Sequence, residues 1–208
     1  MKSHALNNEF FESLKQLLVN IQIIGAKRVS SSLLITSPSD KSGKTFIATN
    51  LANQAASIGI KTLIFDLNVT NYEASTVYKT KENSYQLKSN SQYAKLIKST
   101  TIDNLSILSF ANFLRPNSSF IYSPQIEELI DKLMAQFELI IVDAPSTLNS
   151  AIPSIISSYV TNSILVIRQG KESKSNCVNA FNQLQKFSKG KVNLVMNDYQ
   201  EKLDIWEL

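Results

Sequence analysis

The stretch Ser37-Pro38-Ser39-Asp40-Lys41-Ser42-Gly43-Lys44-Thr45 ends in a Gly-Lys-Thr triplet, the residue types from which a phosphate cradle is built. A lysine ammonium reaches terminal phosphate oxygens, a threonine hydroxyl takes a coordination place on Mg²⁺, and glycine lets the backbone turn its N–H groups onto the anion. The triplet does this only between a strand and a helix, where the helix dipole adds to the amides. That context is present: the apolar run Ser32-Leu33-Leu34-Ile35-Thr36 precedes it, and a helical pattern opens at Phe46. The motif is nonetheless incomplete, because the pattern Gly-x-x-x-x-Gly-Lys-[Ser/Thr] puts glycine where Pro38 stands. Lys-Thr at a helix start is also ordinary capping and solvation. Two acidic positions weigh against that plainer reading. Asp66 and Asp143 each close an apolar run, at the carboxyl ends of strands where ligands sit in open α/β sheets. One carboxylate there holds Mg²⁺ or its waters, and the other orients a nucleophile or takes its proton.

These residues need a scaffold that delivers them to one edge, and the apolar runs supply it. The runs 32–36, 61–66, 105–110, 139–143, 163–168 and 192–197 are apolar on both faces and separated by helical spacing, the signature of a parallel sheet covered on both sides. Ile47, Leu51, Ala55 and Ile58 form one stripe over 46–58, with Gly59 as its stop. A helix over 124–137 takes Ser123 as N-cap and Pro124 in its first turn, and buries Ile126, Leu129, Ile130, Leu133 and Phe137. A third, over 173–188, buries Val178, Phe181, Leu184 and Phe187 and closes near Gly190, while an N-terminal helix over 8–21 carries Leu14, Leu17, Leu18 and Ile21. The alternation predicts an α/β doubly wound sheet, mainly parallel, with helices on both faces. At 208 residues, 43% hydrophobic and 18% charged, the chain is expected to form one domain over 1–208, with a variable loop over 70–100 holding one short helix.

Composition narrows the remaining options. One cysteine, Cys177, and one histidine, His4, leave neither a disulfide framework nor a soft-metal cluster, and the terminal His4 does not suit a Ser/His/Asp triad. Cys177, beside Val178, reads as a small packed residue. No apolar run reaches the roughly 20 residues that span a bilayer, and the N-terminal sequence lacks the apolar segment of a signal peptide, so a cytoplasmic protein without direct membrane insertion is expected. The net charge of +4 gathers in lysines from Lys79 to Lys98. Without regular interleaving of aromatic and basic residues this is a solvated loop face, and no nucleic-acid partner is expected. Tyr72, Tyr78, Tyr85 and Tyr93 of the same region read as solvated loop aromatics.

The segment Ser37 to Asp66 and the run Phe137-Glu138-Leu139-Ile140-Ile141-Val142-Asp143-Ala144-Pro145 together resemble the cytoplasmic kinase domain of the bacterial tyrosine kinases (BY-kinases) of capsule and exopolysaccharide loci, the CpsD/CapB/Wzc type, within the MinD/ParA group of P-loop ATPases. The likeness runs over nearly the whole chain: residues 9–21 resemble the family's Glu-x-x-Arg-x-x-Arg helix, 111–130 its Pro-Asn-Pro segment, and 163–197 its closing strand, helix and strand. It implies ATP/ADP and Mg²⁺ as cofactors. Ser42, Gly43, Lys44, Thr45 and Phe46 would bind the nucleotide with Asn197 at the adenine. Thr45, Asp66 and Asp143 would serve the metal, with Lys44, Asp66 and Asp143 as the catalytic set. It implies phosphoryl transfer to tyrosines of a neighbouring subunit, a membrane-embedded activator or co-polymerase of polysaccharide export as partner, and a homo-oligomer or another kinase subunit.

The chain departs from that family where chemistry is done. The Asp-x-Asp-x-Arg motif reads Asp66-Leu67-Asn68-Val69-Thr70, and an amide neither takes a proton nor brings charge to a metal. Asp40-Lys41 stands for the family's Pro-Gly, which costs about 1–2 kcal/mol if that position needs positive φ, and Asp40 brings negative charge towards the phosphates. Ser39 occupies the MinD signature-lysine position. The tail carries Tyr199 and Trp206 instead of a tyrosine cluster, and the helix motif reads Glu9-x-x-Glu12-x-x-Lys15, without the bidentate fork of arginine. The readings carried forward are an autokinase with weakened or lost activity, a regulatory subunit on a membrane partner, a working kinase, and, more distantly, a MinD/ParA-like positioning ATPase.

Overall fold

The computed structural model describes residues 2–21, 30–68, 74, 77–78, 90–109 and 119–198, with side chains of the first helix described from Glu9 onward. Strands β1 (Ser31–Thr36), β2 (Thr62–Asp66), β3 (Ile97–Ser99), β4 (Leu105–Ser109), β5 (Leu139–Asp143), β6 (Asn162–Arg168) and β7 (Lys191–Asn197) make a seven-stranded sheet in the order β3-β4-β2-β5-β1-β6-β7. Each neighbouring pair is parallel except β3 with β4.

Side-chain alternation in the strands splits the core into two layers. Leu33 and Ile35 of β1 face α1 (Lys2–Asn20) and α2 (Lys44–Ser57), joining Leu14, Leu18, Ile47, Leu51, Ile64 and Ile141. Leu34, between them, faces the other way into a layer with Phe65, Ile140, Val142 and Leu129 beneath α3 (Gln125–Met134), α4 (Ile152–Ser157) and α5 (Lys174–Phe187). This is the doubly wound α/β sheet that the apolar runs predict, and β2 and β5 are buried along their whole length. Gly59 stops α2 as expected, with φ +84°.

Some local expectations fail. Ser123 does not cap α3: its hydroxyl donates to Phe120 O at 2.7 Å, and the cap residue is Pro124. Val178 and Phe187 are half exposed, and the line of α5 that meets the sheet is Cys177, Ala180, Phe181 and Leu184. The reason is that β7 is an edge strand, so α5 covers it along one narrow stripe and leaves Leu194 and Met196 exposed as well. Within the expected loop, Asn90–Leu96 forms a 3-10 helix and β3 follows it. Helix α4 had no signal, since a segment this short shows no 3.6-residue period. Tyr72, Tyr85, Tyr199, Trp206, Val69, Thr70 and residues 111–118 lie outside the described residues, as does the side chain of His4.

Gly190 enters β7 against the turn before β6: a Cβ there would sit 1.7 Å from Thr161 O, and Thr161 is itself bound to Ser32 O through its N–H and hydroxyl. A backbone neighbour cannot yield as a side-chain tip would. Gly190→Ala is therefore expected to destabilise the protein by about 2 kcal/mol or more, measured as a shift in the urea unfolding midpoint.

Candidate functional site

The phosphate-loop segment leaves β1 at Thr36 and enters α2 at Lys44, so it lies over the carboxyl edge of the sheet. Gly43 caps the helix at φ +87°, with no side-chain cap bond. Among the described residues, none accepts from the backbone N–H groups of Gly43, Lys44, Thr45 and Phe46. The carbonyls of the same loop are occupied: Asp40 O accepts from Lys171 Nζ, Lys41 O from Arg168 Nη1 at 3.4 Å, and Ser42 O from Asn197 Nδ2 at 3.0 Å. Carbonyls bound on one side and amides left without acceptors make an anion-receiving concavity, reinforced by the positive end of α2.

Lys44 stands at this concavity, 6% exposed, and has no hydrogen-bond or ion-pair partner among the described residues. A buried ammonium without a counter-charge is costly, and an anionic ligand is its natural complement. Behind it, Thr45 Oγ1 donates to Asp143 Oδ2 at 2.7 Å with both side chains buried. Asp66 and Asp143 are register partners at the ends of β2 and β5, and both carboxylates are buried. Asp66 Oδ1 accepts from the backbone N–H of Asn68 at 2.9 Å. A hydroxyl and an adjoining carboxylate suit a hard cation such as Mg²⁺, which binds through one or two carboxylates with phosphate and water completing its shell. Among the described residues no group of at least three His, Cys, Asp or Glu gathers into an all-protein cation cage.

Phe46 and Asn197, expected at the nucleotide, line a cavity of about 690 Å³ between α1 and the end of β7, together with Phe10, Leu14 and Asp198. The Phe10 and Phe46 rings lie 5.4 Å apart. Asn197 also fills the space a side chain at position 43 would need: a Cβ on Gly43 would fall 2.1 Å from its Nδ2.

Some expectations about individual residues change. Lys41 adopts φ +61°, so the position where the family places glycine does demand the left-handed region. The Asp40 carboxylate accepts from Ser146 Oγ at 2.8 Å and Asn149 Nδ2 at 3.2 Å, on the loop after β5. Glu12 and Lys15 pair with each other at 2.7 Å along α1. Tyr78 and Tyr93 are half-buried rather than freely solvated: Tyr78 OH donates to Asn53 Oδ1 at 2.7 Å, and burial raises its pKa, while Tyr93 OH accepts from Gln136 at 3.1 Å. Cys177 is half-buried, with its thiol pKa pushed up by burial and then by Glu172. Glu172, Lys171 and Arg168 went unforeseen. The usable signal was their position at the carboxyl end of β6 or just past it, the same edge that marked Asp66 and Asp143.

The sheet order, with the loop leaving the strand flanked by β5 and β6, defines a P-loop nucleotide-hydrolase fold of the MinD/ParA kind. No protein-family model matches the chain. It is 28% identical over 190 residues to the putative tyrosine-protein kinase CapB of Staphylococcus aureus, covering 89% of this chain and 83% of CapB. It is 28% identical over 198 residues to the tyrosine-protein kinase CpsD of Streptococcus pneumoniae serotype 4, covering 93% and 85%. Among solved structures, the chimerical protein CapA2B2 superposes with a TM-score of 0.74 at 25% identity, covering 88% of this chain and 83% of that one. The kinase domain of the Escherichia coli tyrosine kinase ETK gives 0.80 at 20% identity, covering 93% and 77%. The septum site-determining protein MinD of Pyrococcus horikoshii, complexed with Mg-ADP, gives 0.66 at 18%, covering 84% and 72%. Over most of its length the chain is thus similar to tyrosine-protein kinases of the CapB and CpsD type.

Removing the Thr45 hydroxyl leaves the Asp143 carboxylate short of a donor in a buried setting. Thr45→Val is expected to cost about 1–3 kcal/mol of stability, read by chemical denaturation in the absence of nucleotide.

Proposed function

We propose that this chain binds Mg-ATP or Mg-ADP through the loop 39–46, that its phosphoryl-transfer activity is weakened or lost, and that it regulates capsule or exopolysaccharide synthesis. In this role it is a single cytoplasmic domain, held at the inner face of the bacterial membrane by the cytoplasmic segment of a polysaccharide co-polymerase. The observation that carries the reading is the buried, unpartnered Lys44 beside amides without acceptors.

Lys44 and the loop amides would grip the β- and γ-phosphates. Thr45 and Asp143 would hold Mg²⁺, with Asp66 beside them. Phe46 and Asn197 would border the adenine, in the cavity that α1 closes. Mg²⁺ when bound neutralises charge on the transferring phosphoryl group, and catalysis in this class is mainly positioning.

Asn68 favours the weakened form over a working kinase. It lies 2% exposed beside Asp66, and its amide cannot accept the proton that a second carboxylate would. General-base help is worth about 10²–10⁴-fold, so transfer suffers while binding need not. The Glu12–Lys15 pair further separates this α1 from the family's Glu-x-x-Arg-x-x-Arg helix, since the two charges pair within the helix.

Titration calorimetry with Mg-ADP is expected to give saturable heat with the wild type and none with Lys44→Ala. No heat in the wild type would sink the nucleotide reading. On incubation with Mg-ATP the wild type is expected to show little or no phosphotyrosine, and Asn68→Asp to raise turnover by about 10²-fold or more. Strong wild-type phosphorylation abolished by Lys44→Ala would instead establish the working kinase.

A further inference from the structure

Lys41 holds φ +61° without glycine's freedom, a conformation that side chains adopt only when their surroundings over-determine it. The surroundings here come mainly from the turn between β6 and α5. Glu172 Oε1 accepts from Ser39 Oγ at 2.6 Å and from Ser42 Oγ at 2.7 Å, so a single carboxylate spans the residues on either side of Asp40-Lys41. Lys171 Nζ reaches Asp40 O, and Arg168 Nη1 reaches Lys41 O. Arg168 is in turn fixed by Asp198 Oδ2 at 2.7 Å. From the opposite side Ser146 and Asn149 hold the Asp40 carboxylate.

We infer that Glu172 is a positioning residue for nucleotide binding: by bridging Ser39 and Ser42 it keeps the loop in its phosphate-receiving shape with lysine at the glycine position. The inference rests on the nucleotide reading above. Glu172 touches no phosphate in this account. It acts through the loop, by donors it captures from both ends of the strained turn. Charge-assisted hydrogen bonds of this length are the strong ones, and the neighbouring Lys171 offsets the negative charge brought towards an anion site.

The test compares Glu172→Ala, Glu172→Gln, Lys41→Gly and the Glu172→Ala/Lys41→Gly pair. Mg-ADP affinity is read by calorimetry, and loop order by the rate of tryptic cleavage after Lys41 in the variants that keep it. Glu172→Ala is expected to weaken Mg-ADP by about tenfold or more and to speed nicking at Lys41 by a similar factor. Glu172→Gln keeps an acceptor and is expected to stay within about threefold of wild type on both readouts. Lys41→Gly in the Glu172→Ala background is expected to recover most of the affinity, because glycine enters the left-handed region without strain. Ser39→Ala with Ser42→Ala removes the same bonds from the loop side and should match Glu172→Ala, which keeps the test decisive if one variant fails to fold. Unchanged nicking in Glu172→Ala overturns the inference, as does faster nicking with undiminished affinity in a protein whose wild type binds Mg-ADP. A wild type that binds no Mg-ADP overturns the nucleotide reading alone, and the nicking comparison still decides whether Glu172 orders the loop.

Discussion

The hydrogen bond from Thr45 Oγ1 to Asp143 is the contact on which the carboxyl edge of this molecule depends. A buried carboxylate has to be paired, and pairing it with the first turn of α2 fixes where that helix starts over the sheet. The register makes the contact available: Ile35 of β1 and Asp66 of β2 both partner Asp143 of β5. A slip of one residue in β5 would carry Asp143 to the face of α3 and α5, away from α2, and would turn Ile141 out of its layer. Parallel pairing brings the loop after β1 and the acids of β2 and β5 to the same end, so the fold and the site have one cause.

The loop above this contact meets a harder requirement than its glycine-bearing counterparts. Lys41 occupies left-handed backbone at a cost of about 1–2 kcal/mol, while polar contacts from opposite sides hold Asp40, Lys41 and Ser42. The arrangement is consistent with a loop whose shape is set before any ligand arrives, since the carbonyls are bound and the amides point where nothing in the described protein accepts from them. Such pre-organisation favours binding, because little ordering remains to be done when the anion enters.

The sheet was legible because its strands are long, apolar on both faces and spaced by helices; the runs closing at Asp66, Asp143 and Asn197 end as read. Lys44, Thr45, Asp66 and Asp143 were legible as a group because the carboxyl-edge rule ties position in a strand to position in space. What escaped had no local signature. β3 is too short for a period of two to register, and Ser123 has the composition of a cap while its hydroxyl is taken by Phe120 O. The exposure of Val178 and Phe187 follows from β7 lying at the sheet edge, a fact of topology that no helical period carries. Glu172 sits far from the loop in sequence and is joined to it only because β6 lies beside β1.

Binding and transfer place separate demands on a phosphate site, and in the proposed function this chain would meet them unequally. Binding needs positive charge, free amides and a cation seat, all of which act on the ground state, and Lys44, the loop 39–46 and the Thr45–Asp143 pair can supply these without moving. Transfer needs groups that gain interaction as the bond breaks, chiefly a base for the acceptor hydroxyl and extra charge on the leaving oxygens. Asn68 adds neither, although it lies beside Asp66 where such a group would act. A regulatory role can retain selection for the first set while releasing the second, because a partner sensing the occupied loop responds to its shape and charge. Under the function proposed above, a site strained at Lys41, braced by neighbouring side chains and with an amide at Asn68 would be better matched to holding a nucleotide than to spending one.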